Sequence, residues 1–183
     1  MIDLPDVLQF DVAAEVAHIT TWIRTTLART LRRQGVVIGI SGGVDSATTA
    51  ALCAEAIGPE RVYALLMPDR ESGAQTSRLA RRVVEHLDIS NRTVDITPTL
   101  ETLGVYRDRD AIVRRVDPSF DGASGFKIAI EDNDSLVSWF TLVTESGGIE
   151  RRARLDAVDY LGIVAATNYK QRVRKSIEYH YAD

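Results

Sequence analysis

Val36-Val37-Ile38-Gly39-Ile40-Ser41-Gly42-Gly43-Val44-Asp45-Ser46 is the stretch on which the fold turns. Its first five residues are apolar and rich in β-branched side chains, which predicts a strand buried on both faces, as in a parallel sheet. Two serines and two glycines follow, and then Ala47 to Ile57, a small-residue helix closed by Gly58-Pro59. Upstream, Val12, Val16, Ile19, Ile23, Leu27 and Leu31 recur at spacings of three and four behind Asp11, an N-cap, so a helix leads in and Gln34-Gly35 ends it. Downstream, Arg61 to Met67 reads as a strand, Pro68 to Gly73 as a turn, Ser77 to Leu87 as a helix and Arg92 to Ile96 as a third strand. Strands alternating with helices predict an α/β fold: an open, mostly parallel, Rossmann-like sheet with helices on both faces.

Beyond the third strand the pattern loosens. Pro98 to Val116 reads as short helices and Asp117 to Gly125 as a loop. Leu136 to Val143 and Ile149 to Leu155 flank Glu145-Ser146-Gly147-Gly148, a β-hairpin expected as an insertion or an antiparallel edge. Asp156 begins a helix that runs nearly to the end. No repeat or linker marks a boundary, so residues 1–183 are expected to form one domain. A net charge of -4 gives no sign of a bulk nucleic-acid binder. The single cysteine, Cys53, excludes an internal disulfide framework and reads as core. The first residues lack the pattern of a secretory signal and no apolar run approaches membrane-spanning length, so a cytoplasmic location and no membrane partner are expected. His18, His86 and His180 show no metal-ligand spacing.

The segment from Gly39 to Ser46 lies where open parallel sheets bind ligands. Gly42 and Gly43 allow close backbone approach and positive φ, Ser41 and Ser46 add hydroxyls, and the following helix aims its free N–H groups at the loop. Together they make an anion site sized for phosphate. A Walker loop needs a lysine before its final Ser or Thr, and Asp45 stands there instead; Gly39-Ile40-Ser41-Gly42 does not fit a dinucleotide fingerprint. A bare carboxylate would repel phosphate, whereas a divalent cation between them makes the pair attractive, so Asp45 predicts a magnesium-bound polyphosphate. The bland alternative is a Gly-rich turn whose Asp45 and Ser46 only cap a helix.

Ser41-Gly42-Gly43-Val44-Asp45-Ser46 resembles the S-G-G-x-D-S loop of the ATP pyrophosphatases, and Asn168-Tyr169-Lys170-Gln171-Arg172-Val173-Arg174 is similar to the N-x-K-x-R-x-R helix of the NAD synthases within them. Leu65 to Arg70, Asp95 to Pro98, Ala165 to Thr167 and Ile177 to Tyr179 extend the likeness in the same order. The resemblance implies an adenine-nucleotide-hydrolase-like fold and ammonia-dependent amidation of nicotinic acid adenine dinucleotide (deamido-NAD) through an adenylate, releasing AMP and pyrophosphate. It implies that Gly39, Ile40, Ser41, Gly42, Gly43, Val44, Asp45 and Ser46 bind ATP, that Asp45 anchors Mg²⁺, that Arg172 and Asn168 contact deamido-NAD, and that the protein is a homodimer. Another adenylating amidotransferase or thiolase, or a non-catalytic ATP-binding module, is the alternative. On charge pattern alone, the basic helix reads rather as a solvated face, with Arg174 pairing with Glu178; Arg70 is open to two readings, an ATP contact or a surface turn residue. The family continues past the basic helix with further ATP and magnesium contacts, so an incomplete C-terminal part is expected.

Overall fold

The computed structural model describes residues 11–122, 125–131 and 139–183, the side chain of Ser146 excepted. It divides into two compact units. The first runs to Ile96 and takes in Arg174–Asp183; the second is Thr97–Val173.

In the first unit, Asp11 caps helix α1 (Val12–Thr25) by accepting the Ala14 amide at 3.0 Å. The helix loosens into a π-turn over Thr26–Leu31 and ends at Arg32, which takes a left-handed φ of 52°. Its stop is thus earlier than Gln34-Gly35. Strand β1 (Val36–Gly39) leads through the loop to helix α2 (Val44–Ile57). Strand β2 (Val62–Leu66), helix α3 (Ala74–His86) and strand β3 (Ser90–Thr93) follow. The strands form a parallel sheet in the order β1-β2-β3, with Val36 opposite Val62 and Tyr63 opposite Ser90.

Alternation along β2 settles the two faces. Val62, Ala64 and Leu66 belong to a core with Leu27, with Ala50, Cys53, Ala56 and Ile57 of α2, and with Ala80 and Val84 of α3. The opposite face carries Tyr63, stacked on Tyr181 at 5.9 Å, and Gly39 and Met67 beside Glu178. Both partners, Glu178 and Tyr181, lie in the last turns of helix α6 (Ala157–Ala182), so helices cover both faces as expected. β1 is only half-buried, unlike β2, because its ladder partner is on one side alone among the described residues. β3 starts at Ser90 rather than Arg92, though the Val94 and Ile96 amides still reach Leu66 and Pro68 carbonyls.

In the second unit, helices α4 (Thr97–Thr102) and α5 (Val105–Val116) precede strands β4 (Phe126–Glu131), β5 (Trp139–Ser146) and β6 (Ile149–Arg154). β5 and β6 are the expected hairpin, closed by Gly147-Gly148 in left-handed conformations; the part of that expectation before Trp139 lies outside the described residues. The hairpin does not extend the parallel sheet. It pairs with β4 into a separate antiparallel sheet. Phe126, Ile128 and Ile130 do alternate, so β4 was legible in the sequence and was missed. Val113, Phe120, Leu142, Leu155 and Ile163 form this unit's core. Among the described residues no helix is long and apolar enough to cross a membrane.

Candidate functional site

The loop between β1 and α2 takes its shape from hydrogen bonds among its own residues. The Ser46 hydroxyl donates to the Gly43 carbonyl at 3.0 Å and accepts the Ser41 amide at 3.2 Å. The Ser41 and Ser46 hydroxyls lie 3.1 Å apart, and the Gly43 amide donates to Ser41 Oγ at 3.3 Å. The two serines therefore also brace the loop.

The two glycines differ. Gly42 has φ +82°, and a Cβ there would lie 2.6 Å from the Thr76 carbonyl of α3. Gly43 sits at φ -83° as the N-cap of α2, so of the two only Gly42 needs positive φ. A Cβ on Gly43 would meet nothing closer than Ser41 Oγ at 3.4 Å and would point into open space. The first intrahelical bond of α2 runs from the Ala47 amide to the Gly43 carbonyl, so the amides of Val44, Asp45 and Ser46 precede the ladder at the end of the helix that adjoins the loop. Helix α2 begins at Val44, three residues earlier than the sequence indicates, which puts Asp45 in its first turn.

Asp45 is exposed there, its backbone carbonyl accepting Thr49 Oγ1 at 2.8 Å. Among the described residues no group of three or more His, Cys, Asp or Glu side chains could enclose a metal. A single carboxylate beside an anion cradle suits Mg²⁺, which keeps waters and shares phosphate oxygens with one or two carboxylates. Cys53 is buried in the α2 core and burial pushes its thiol pKa up, so it is packing and not a nucleophile.

The basic helix departs from expectation. Lys170, 8% exposed, turns inward with its ammonium 4.9 Å from the Tyr106 ring centroid, while Tyr169 is 38% exposed. Cation–π attraction and an apolar stem make the lysine the better buried residue. Asn168 and Arg172 are exposed on the part of α6 that belongs to the second unit. Arg174 belongs to the first unit and does not pair with Glu178. It donates to the Met67 carbonyl and to Asp69 Oδ2, both at 3.3 Å, and Lys175 takes Glu178. Arg70 is exposed on the turn after β2.

Residues 15–114 match the family model described as NAD synthase. The chain belongs to the NAD synthase family. It is similar to the NH₃-dependent NAD⁺ synthetase of Mesorhizobium japonicum, 42% identical over 96% of this chain and 56% of that protein. The NH₃-dependent NAD⁺ synthetase of Rhizobium meliloti is 40% identical over 97% of this chain and 54% of its own length. The chain thus spans about half the length of the NAD synthase relatives it matches. The solved NH₃-dependent NAD synthetase of Campylobacter jejuni, a complex with nitrate, superposes with a TM-score of 0.55 at 23% identity over 94% of this chain and 52% of that one, which shows the shared fold.

Proposed function

We propose that this chain is the ATP-binding part of an ammonia-dependent NAD⁺ synthase. The room beside Gly43 at the start of α2, where the helix's first amides precede its ladder and Asp45 stands exposed in its first turn, is the observation that carries the reading. Residues Gly39 to Ser46 hold the phosphates of ATP: backbone amides and the positive end of α2 face the anion, and the two serines keep the loop in shape. Asp45 would hold Mg²⁺, which when bound offsets negative charge on the leaving pyrophosphate.

In the reaction proposed, a carboxylate oxygen of deamido-NAD attacks the α-phosphorus of ATP. The bond to pyrophosphate breaks and an adenylate forms. Ammonia then attacks the acyl carbon and AMP leaves. The chain's contribution is positioning and electrostatics. Arg172, with Asn168 beside it one turn earlier, is the proposed contact for the dinucleotide. Val158, Leu161 and Tyr169, respectively 73%, 61% and 38% exposed, share a face of α6 with Arg172, which supports a homodimer interface. A cytoplasmic location goes with these substrates.

The test is calorimetric titration of the chain with ATP, with and without Mg²⁺. Parent protein should bind ATP better with Mg²⁺, and Asp45→Asn should weaken Mg-ATP by about 1.5–3 kcal/mol, the scale of a charge-assisted contact. Equal affinity in parent and variant would remove Asp45 from the site.

A further inference from the structure

Asp69 lies just past β2, and its side chain is 5% exposed. Its Oδ1 accepts the Glu71 amide at 2.9 Å and lies 3.3 Å from the Ser72 hydroxyl, which in turn accepts the Asp69 amide at 3.0 Å. The Ser72 amide closes the turn onto the Asp69 carbonyl at 2.9 Å. Arg174 reaches the same turn from α6, with Nε on the Met67 carbonyl and Nη2 on Asp69 Oδ2. The guanidinium thus ties together the end of β2 and the centre of the turn, all within one unit.

The turn matters because of what it adjoins. β1 and β2 are in register with Gly39 opposite Leu65, and the Ile40 amide still bonds the Leu65 carbonyl, so the two strands release their chains side by side. One chain becomes the phosphate loop and the other becomes this turn. The turn then feeds α3, whose Thr76 carbonyl and Ala80 amide close on Gly42. In open α/β sheets the crevice outside the strand ends is where ligands sit. The turn is therefore a wall of that crevice.

We propose that Arg174 is a positioning residue for nucleotide binding: through Met67 and Asp69 it fixes the β2–α3 turn as the wall beside the phosphate loop. The proposal rests on the ATP-binding reading above. The loop itself does not depend on Arg174, since its shape comes from Ser41, Gly43 and Ser46. Pyrophosphate needs only the loop, whereas ATP also needs the wall. Lysine cannot replace the arginine, because a single ammonium lacks the rigid fork that serves a carbonyl and a carboxylate together.

The experiment compares parent, Arg174→Ala, Arg174→Lys and Asp69→Asn in two arms. Calorimetry reads affinity for Mg-ATP and, separately, for magnesium pyrophosphate. Hydrogen exchange reads the amides of Glu71 and Ser72. Arg174→Ala should weaken Mg-ATP about tenfold, leave pyrophosphate affinity unchanged, and speed exchange at both amides. Arg174→Lys should rescue little, and Asp69→Asn combined with Arg174→Ala should lose less than the sum of the two. Equal loss of ATP and pyrophosphate would reduce Arg174 to general stability, and no loss of either would overturn the proposal, as would unchanged exchange. If the parent binds neither ligand, the functional reading falls and takes the nucleotide half of this one with it, while the exchange arm still decides whether Arg174 holds the turn.

Discussion

Gly42 and Gly43 stand next to each other and face opposite demands. Gly42 has φ +82° and α3 backbone where a Cβ would go, so Gly42→Val should destabilise the first unit itself. Gly43 has an ordinary φ and open space, so Gly43→Val should fold as the parent does, with an unchanged far-UV spectrum, and lose nucleotide binding. Thermal protection by Mg-ATP measured on both variants separates the two outcomes; equal protection of parent and Gly43→Val would place the cradle elsewhere. In the second unit, the Ser119 hydroxyl at 2.6 Å and the Thr144 hydroxyl at 2.5 Å hold the Asp117 carboxyl below the ordinary carboxylate range. A depressed folded-state value gives stability that is present above the ordinary range and lost as pH falls through that depressed value. Thr144→Val should therefore melt below the parent at neutral pH, and the gap should narrow as the buffer is made acidic. A gap independent of pH would mean that Thr144 contributes packing only.

Helix α2 starts at the proposed phosphate cradle and ends against α1. Arg24 Nε donates to the Ala56 carbonyl at 2.9 Å, satisfying one of the acceptors that a helix C-terminus leaves open. Arg24→Ala should cost about 1–2 kcal/mol in denaturant unfolding, because a charged donor is removed from a helix end. The elements with strong signals were legible beforehand: α1 with its Asp11 cap, β1, α2, β2 and the Gly-rich turn of the hairpin are all present, though not with the expected ends. Boundaries slipped where side chains gave no signal. The π-turn ends at Arg32 because the backbone goes left-handed there, which no pattern of apolar residues encodes. β3 is exposed along its whole length, so it carries no hydrophobic alternation to mark its start. On α6 the buried side takes Lys170, whose stem is apolar and whose charge meets an aromatic face, while Tyr169 stays 38% exposed, and hydrophobicity alone does not mark that choice. The Arg174 contact with Asp69 joins residues far apart in the chain, and local spacing is silent about such pairs.

At the scale of the molecule, Asn168 and Arg172, the proposed dinucleotide contacts, belong to the second unit. In an active protein that contains this sequence, Arg172→Ala should raise the KM for deamido-NAD at least about tenfold and that for ATP much less. Steady-state kinetics with each substrate varied in turn checks this, and a selective effect on ATP would reverse the assignment. Arg172→Lys should also be impaired if the contact is a forked one to phosphate. The buried thiol of α2 has a practical consequence for such work. With one cysteine in the chain, 8% exposed and disinclined to ionise, the protein behaves toward maleimides as if it had none. A cysteine introduced at Glu71 on the β2–α3 turn would take a fluorophore at that position alone, giving a direct optical reporter of what happens at the mouth of the proposed nucleotide crevice.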